Sequence, residues 1–241
     1  MTIVATVNVL GASFFSTHHA SPEDVLAGRE RPATQPAYPL LTGRARRFTS
    51  LVTQMHMEVC GALRVEGAEP PTTVFATCHG EIQTAGNLLA DFHANAVVSS
   101  ARFALSVHNT PSGLYSVATG SSAPSTTVTG DNAIAAGWLE AALTALDSNR
   151  TVLLSIADEP VPAQFEGPAA TVGVAAAFLL SPASSSSGGH TIDLALIPNL
   201  NDVPVDPLHV LARAAAACVH RKAVAVVLGR IQTGALLELR G

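Results

Sequence analysis

Charged side chains are scarce in this 241-residue chain. Only 13% of its residues are charged, Lys222 is the only lysine, and the formal net charge is -5. This acidic balance argues against nucleic acid as the main partner. With 48% hydrophobic residues, the chain can bury a substantial core, which predicts one globular domain over residues 1–241. Two explanations of the low charge stay open: a surface partly covered by a partner, or a compact Ala-rich monomer.

Neither the few cysteines nor the N-terminal sequence indicates a secreted protein. The three cysteines form no CxxC pair, and an odd count fits a reducing compartment better than a disulfide framework. No Lys or Arg precedes Arg29, so the apolar N-terminus lacks the basic region of a signal peptide. The apolar run 169–180 is shorter than the ~20 residues that a membrane-spanning helix needs. We therefore expect a cytoplasmic protein without a membrane span.

Motifs for nucleotide binding and metal-dependent hydrolysis are missing. The sequence contains no GxGxxG, no P-loop, no HExxH and no GxSxG. Its nine histidines show no metal-ligand spacing. We expect His18 and His19 to form a solvated pair and His56 to lie on the surface of a helix. The sequence therefore predicts no cofactor and no bound metal.

Strand and helix patterns alternate along the chain, which predicts an α/β fold with a central mixed sheet. Residues 169–180 and 190–197 are predicted to be paired strands. Asp206 is a plausible N-cap with Pro207 in the first helical turn, and the tail is predicted to be a hairpin around Thr233-Gly234. Further predicted strands cover 2–10, 72–81 (running into a turn at Gly80), 125–129 and 151–159, and predicted helices cover 46–63, 80–96 and 206–220.

The stretch PSTTVTGDN, residues 124–132, predicts a strand, a tight turn at Gly130 and then a helix. Many acyl-transfer enzymes place a nucleophile on such a turn. Here Asp131 and Asn132 occupy it, and an amide cannot attack a carbonyl. The stretch is therefore either a catalytic corner without its nucleophile or an ordinary strand–turn–helix, in which Asn132 caps the helix.

Cys78 is the other candidate nucleophile, because it lies just before a predicted helix that could lower the pKa of its thiol. His79 would point to the opposite face of the strand, so the base would have to be a distant residue such as His108. This arrangement suggests a stand-alone cysteine-dependent acyltransferase or thioesterase. The alternative is a small buried cysteine with a packing role.

Three stretches together resemble the N-terminal half of a β-ketoacyl synthase of the thiolase-like superfamily. They are VFATCHGEIQTAGNLLADF, SSARFALSVHNTPSGLYSVATGSSAPSTTVTG and LEAALTALDSNRTVLLSIADE. The resemblance covers residues 70–160 well and the first 70 residues more loosely. The sequence pattern SVHN…GLYS is similar to that of short synthase-like proteins of aryl polyene pathways. The resemblance implies a thiolase-like half, with one αβα-layered repeat around a mixed central sheet.

In such synthases a cysteine at the tip of this turn takes the acyl chain as a thioester, and backbone N–H groups stabilise the oxyanion. The match places Asn132 at the position of that cysteine. The family's two catalytic histidines come from the second half of a longer chain, and His190, His209 and His220 do not lie in matching contexts. The resemblance therefore implies no catalytic residue and no condensation by this chain alone.

The same resemblance implies a chain-length factor, an inactive homologue that forms a heterodimer with a full-length ketosynthase and helps to wall the acyl tunnel. The substrate would be a polyene or aryl polyene chain held on an acyl carrier protein. A purely structural subunit that never touches the acyl chain is the alternative. The implied tunnel candidates, which could also be plain core residues, are Leu88, Leu89, Phe92 and Phe103. The implied dimer-interface strand is Ser125, Thr126, Thr127, Val128 and Thr129.

Two further expectations concern single side chains. Arg44, Arg46 and Arg47 are expected at the start of a helix, where the helix dipole does not favour cations. They are candidates for a carrier-protein surface, or else they pair with nearby carboxylates. Trp138, the only tryptophan, is expected to pack rather than to gate a tunnel.

Overall fold

The computed structural model describes residues 1–31, 36–41, 43–64, 67–165, 172–184, 189–198, 206–223, 225–232 and 235–241. Within these ranges strands and helices alternate, as the sequence pattern predicts. The strands are β1 (Thr2–Ser16), β2 (Thr72–Thr77), β3 (Ser125–Thr129), β4 (Val152–Asp158), β5 (Val174–Pro182), β6 (His190–Pro198), β7 (Ala225–Gln232) and β8 (Ala235–Arg240). The helices are α1 (Pro22–Leu26), α2 (Gly43–Phe48), α3 (Leu51–Ala62), α4 (Ile82–Asn95), α5 (Ser100–Phe103), α6 (Thr110–Thr119), α7 (Ala133–Ser148) and α8 (Pro207–His220).

The strands form one mixed sheet in the order β3-β2-β4-β5-β1-β6-β8-β7. Strand β2 pairs in parallel with β3 and β4, and the other neighbouring strands of the sheet are antiparallel. Strands β3 and β7 are the edges of this sheet. The prediction of an α/β fold with a mixed central sheet is confirmed.

Helices cover both faces of the sheet. Successive side chains of a strand point to opposite faces, so Val74 and Ala76 lie on the face covered by α7, whereas Phe75 packs with α3 and α6. All seven residues of β4 are buried, as expected for a central strand covered on both sides. Trp138 on α7 is fully buried, with its ring centroid 4.5 Å from that of Phe178. Its predicted packing role is confirmed.

Strands β5 and β6 do not pair with each other, so the prediction of paired strands there is wrong. Strand β1 lies between them and pairs with β5 over Val7–Ser16 and with β6 over Thr2–Val9. The physical reason is the length of β1. This strand extends to residue 16 rather than 10, so it is long enough to pair with both β5 and β6. A register shift between Val9 and Gly11 accommodates the long strand.

The predicted helix over residues 46–63 is two helices. Helix α2 ends at Phe48 and α3 begins at Leu51. Ser50 makes the break, because its hydroxyl accepts the Thr53 N–H at 3.1 Å and so caps α3. Farther along, α8 begins as predicted, with the Asp206 carboxylate accepting the Leu208 N–H. Strands β7 and β8 form the predicted hairpin, whose turn residues 233–234 lie outside the described residues.

Helix α7 approaches β2 closely at Gly137. A Cβ added there would lie 2.7 Å from the Ala76 Cβ and 3.4 Å from the Leu154 Cδ1. The contact with Ala76 is much shorter than the van der Waals distance, so the helix could keep its position only if the sheet moved. Because Gly137 has no side chain, α7 can lie this close to β2.

We expect Gly137→Ala to lower the free energy of unfolding by roughly 1 kcal/mol, because overpacking outweighs the gain in helix propensity. The matched control is Gly113→Ala on α6, where no atom lies within 4 Å of the new Cβ. That control should raise the free energy of unfolding by about 0.5 kcal/mol. Urea denaturation followed by circular dichroism measures both. Equal stabilisation by the two substitutions would contradict the close-approach argument.

Candidate functional site

The carboxyl ends of three parallel strands lie at the same end of the sheet and bring the candidate residues together. Strand β2 leads to Cys78, β3 leads to the Gly130–Asn132 turn, and β4 ends at Asp158. In open α/β sheets, ligands bind outside the carboxyl ends of the strands. The candidate site therefore lies where this class of fold places its chemistry.

The predicted corner is present. Gly130 has a φ of 104°, and its carbonyl accepts the Ala133 N–H at 2.8 Å. Asp131 and Asn132 are exposed at the tip. Asn132 occupies the N-cap position of α7, but its side chain makes no capping hydrogen bond. The suggested role of Asn132 as a side-chain cap is therefore wrong, and its amide is exposed to solvent.

Cys78 lies beside this corner, although it belongs to the neighbouring strand. Burial is the main cause that raises the pKa of its thiol, and the Asp158 and Asp131 carboxylates raise it further. A hydrogen bond from the Ala133 N–H, at the start of α7, acts in the opposite direction without outweighing them. The thiol is therefore held protonated, which is the opposite of what a nucleophilic cysteine needs.

His108 comes close to the turn that follows Cys78. A Cβ added at Gly80, whose φ is 59°, would lie 3.2 Å from the His108 Cβ. The described residues show no hydrogen bond between His108 and the Cys78 thiol, which interacts with Asp158 instead. The two residues proposed for a stand-alone acyltransferase are thus brought near each other without the contact that would activate the thiol.

The Asp158 carboxylate holds the turn between β2 and α4. Its Oδ1 accepts the Thr77 hydroxyl at 2.9 Å, the Cys78 N–H at 2.8 Å and the His79 N–H at 3.2 Å. The residue is buried, and burial raises the pKa of its carboxyl. Three donors on one oxygen fix the backbone next to the corner.

The next residue, Glu159, joins the first turns of two helices. Its Oε2 accepts the Val52 N–H of α3 at 3.2 Å, and its Oε1 accepts the Gln83 N–H of α4 at 2.9 Å. These N–H groups lie in the first turn of each helix, where backbone donors lack helical acceptors. Burial raises the pKa of Glu159 to about 7. Glu159 ends the predicted strand 151–159, but the sequence pattern does not predict this role.

Glu81 completes a buried group of carboxyls at this edge. Its Oε1 accepts the Thr53 hydroxyl at 2.5 Å and its Oε2 accepts the Thr84 hydroxyl at 3.1 Å. Burial raises the pKa of this carboxyl as well. Glu81, Asp158 and Glu159 therefore share one environment that disfavours negative charge.

The tunnel candidates divide into one buried and three exposed side chains. Leu88 is buried, whereas Leu89, Phe92 and Phe103 are 50%, 52% and 62% exposed. An ion pair of 2.6 Å between Arg102 and Asp91 joins α5 to α4 and so brings Phe92 and Phe103 to one region of the surface. We call this region the α4–α5 apolar face, formed by Leu89, Phe92, Val97, Val98, Phe103 and Val107. The core-residue alternative fits Leu88 only.

The predicted interface strand is an edge of the sheet. Ser125, Thr126 and Thr129 are exposed, and Thr127 and Val128 are half-buried. The Thr73 N–H donates to the Pro124 carbonyl, so the parallel pattern directs the N–H groups of alternate residues, Thr126 and Val128, toward β2. The N–H groups of Ser125, Thr127 and Thr129 consequently point away from the sheet.

Three expectations about basic residues need correction. Arg46 and Arg47 lie in the last turn of α2, which the dipole favours, because this helix starts earlier than predicted. His56 is fully buried, with Nδ1 2.8 Å from the Ser155 Oγ, and burial lowers its pKa to about 3. His19 is also buried, 3.1 Å from the Ser16 Oγ, so only His18 of the expected solvated pair is exposed. The side chain of Arg44 is outside the described part of the structure.

The described part of the chain contains neither a candidate metal site nor a candidate membrane-spanning helix. Its His, Cys, Asp and Glu residues form no group of three or more that could hold a metal ion. Its helices include none long and apolar enough to cross a membrane.

A family model, beta-ketoacyl synthase, N-terminal domain, matches residues 19–221. The chain belongs to this ketosynthase family. Comparison with curated proteins gives no match. The eight-stranded mixed sheet between helical layers is the thiolase-like ketosynthase fold.

Solved structures of ketosynthases share this fold at low sequence identity. A chain of a ketosynthase (ApeO) in complex with its chain length factor (ApeC) from Xenorhabdus doucetiae has a TM-score of 0.74 and 18% identity, over 98% of this chain and 99% of that chain. The ishigamide ketosynthase/chain length factor gives 0.63 and 15%, over 90% and 73%. A beta-ketoacyl synthase from Burkholderia phymatum STM815 gives 0.53 and 10%, over 89% and 70%.

The raised pKa of Glu159 predicts a pH-dependent stability. Its folded-state pKa of about 7 lies above the ordinary value of 4.5, so its contribution is fully present below pH 4.5 and is lost as the pH rises through 7. From pH 5 to pH 8 the free energy of unfolding should therefore fall, and Glu159→Gln should remove roughly 3 kcal/mol of that fall.

Urea titrations at several pH values measure this slope. Glu159→Gln also loses one acceptor at every pH, so the slope rather than the absolute stability is the readout. The control is Glu30→Gln at an exposed position, which should keep the wild-type slope. An unchanged slope in Glu159→Gln would show that the buried carboxyl does not titrate in this range.

Proposed function

We propose that this chain is a catalytically inactive ketosynthase-like subunit that acts as a chain-length factor. It would form a heterodimer with a full-length, cysteine-bearing β-ketoacyl synthase. That partner would elongate a polyene or aryl polyene chain carried by an acyl carrier protein in the cytoplasm. The observation that carries the proposal is a strand–turn–helix corner with an exposed Asn132 at its tip, the residue that we propose replaces the family's nucleophilic cysteine.

The chemistry of the corner supports inactivity. An asparagine amide cannot form the thioester on which condensation depends, and the neighbouring Cys78 thiol is held protonated by burial and by two carboxylates. The corner backbone is nevertheless kept in place by Gly130 and by the first turn of α7. A preserved backbone with no nucleophile is what a subunit would retain if the corner served assembly rather than chemistry.

The comparison structures favour a partner. Two of them are complexes of a ketosynthase with a chain length factor, and the matched chain of the ApeO–ApeC complex is almost fully covered by this short chain. A chain of this size can therefore occupy a place in such a complex.

The edge strand β3 is a suitable surface for the partner. Outward N–H and C=O groups of an unpaired edge form hydrogen bonds readily with another strand. The side chains of β3 are small or β-branched and uncharged, so they leave the edge open to pairing. We propose that residues Ser125–Thr129 pair with the matching strand of the ketosynthase.

The α4–α5 apolar face supports a tunnel shared between two subunits. Leu89, Phe92 and Phe103 are too exposed to wall a tunnel inside this chain alone. Contiguous exposed apolar surface marks sites of interaction with proteins or ligands. We propose that the partner covers this face and that the acyl chain ends against its aromatic side chains.

A carrier protein would meet a basic surface. Arg47 is exposed, and Arg46 packs over the Tyr38 ring at 4.3 Å while remaining exposed. Carrier proteins dock through charge, so these two residues are the candidates in the described part of the structure. Their number is small, and the larger share of this surface would come from the ketosynthase.

The first test is co-expression with the full-length ketosynthase, followed by affinity capture and mass measurement in solution. We expect a stable complex containing both chains. Thr127→Pro removes an outward N–H that β2 does not use and should abolish capture, since proline is tolerated at an edge strand but cannot donate. Thr127→Val keeps the N–H and should assemble normally. Capture that is equal in both variants would exclude β3 as the interface.

A second test addresses chain length. In the reconstituted complex, Phe92→Ala and Phe103→Ala should give longer products, because a smaller side chain lengthens the apolar tunnel. Phe48→Ala, at a position 69% exposed on α2, is the control and should leave product length unchanged, as should Asn132→Ala. Mass spectrometry of the released chains reads out the result. Unchanged lengths in every variant would favour a subunit that only stabilises its partner.

A further inference from the structure

A cavity lies at the end of the sheet opposite to the corner. Its volume is about 680 Å³, within the range of small-molecule sites. It opens at the amino-terminal ends of the parallel strands, beside Thr72, Pro124 and Thr151. Because β2 has six residues, the cavity and the corner are separated by about 17–20 Å. The cavity is therefore distinct from the site used in the proposed function.

The floor of this cavity is apolar. Leu63 at the end of α3, Leu153 on β4 and Leu179 on β5 line it, together with the Cys60 thiol. Burial raises the pKa of Cys60 to about 12, so the thiol is neutral. A ligand bound here would place a hydrocarbon group against these side chains.

Tyr115 supplies a hydrogen-bond donor in the wall. The residue is 97% buried, since only 3% of it is exposed, and its ring packs edge-on against Phe75. Its hydroxyl makes no hydrogen bond with the described residues, and the residue lines the cavity. Burial raises the pKa of the phenol to about 12, so the group remains a donor at neutral pH.

Two arginines stand at the mouth, and only one of them has a carboxylate partner. Arg150 forms an exposed ion pair of 3.5 Å with Glu69. The Arg64 side chain makes no ion pair or hydrogen bond with the described residues, and its charge acts on the Tyr115 phenol. Among the described residues, a guanidinium and a phenol without hydrogen-bonding partners therefore line the same apolar cavity.

We propose that this cavity binds a small amphipathic carboxylic acid. The carboxylate accepts hydrogen bonds from the Arg64 guanidinium and the Tyr115 hydroxyl, which match its charge and its acceptor-only chemistry. The hydrocarbon part lies against Leu63, Leu153 and Leu179. The inference goes beyond the proposed function and stands without it, since it uses none of the corner residues.

The test is isothermal titration calorimetry of the full chain, alone or in its complex, with octanoate, 1-octanol and acetate. We expect saturable one-to-one binding of octanoate, with 1-octanol and acetate each at least tenfold weaker. Equal binding of octanoate and 1-octanol would overturn the proposed carboxylate recognition. No saturable binding of octanoate would overturn the proposal as a whole.

Variants locate the binding. Arg64→Gln and Tyr115→Phe should each weaken octanoate at least fivefold, whereas Arg213→Gln on the remote helix α8 should not change it. Ala123→Trp, from a loop at the mouth, should block the cavity with little effect on the core, and its thermal unfolding confirms folding. Full octanoate affinity in a folded Ala123→Trp variant would place the ligand elsewhere and refute the proposal.

Discussion

Hydrogen bonds accepted at the carboxyl end of β4 hold the neighbouring elements in position at this end of the sheet. Asp158 accepts three donors from the end of β2, and Glu159 accepts the first-turn N–H groups of two helices. One strand end therefore positions α3, α4 and the turn beside the corner. Carboxylates suit this position because they satisfy several backbone donors at once and complement the positive ends of the helices. Those hydrogen bonds offset only part of the cost of burial, since the pKa of each carboxyl is still raised.

This arrangement separates position from reactivity. Burial keeps the Cys78 thiol protonated, and Asp158, which also fixes the backbone, contributes to this effect, so this end of the sheet is polar without carrying a strong nucleophile. The exposed features lie farther out, at the Asn132 tip, along β3 and on α4. Under the proposed function, such a molecule would shape a partner's site rather than run the reaction itself.

Much of the fold could be predicted from the sequence, because local signals there are strong. The β-branched run Ser125–Thr129, the Gly130 turn and the Ala-rich helix after it gave the corner, and Asp206 with Pro207 gave the start of α8. Nonlocal pairing could not be predicted, since periodicity does not show that β1 separates β5 from β6. The site residues followed the same rule. Asn132 came from its place in a motif, whereas Glu159 and the neighbourhood of Cys78 depend on contacts between elements distant in the chain.

The place of β1 also has a consequence for synthesis. Among the described strands β1 is made before the others, yet its partners on both sides lie at residues 174–198. At roughly 5–20 residues per second, a ribosome needs about 10–40 s to supply them. During that interval an apolar strand of fifteen residues waits with both of its edges unpaired, and long-range pairing of this kind is slow even in a complete chain. Strand β1, which lies inside the finished sheet, is therefore unpaired for longer than the other described strands while the chain is being made. The yield of folded protein should depend on the chaperones that bind β1 during this time.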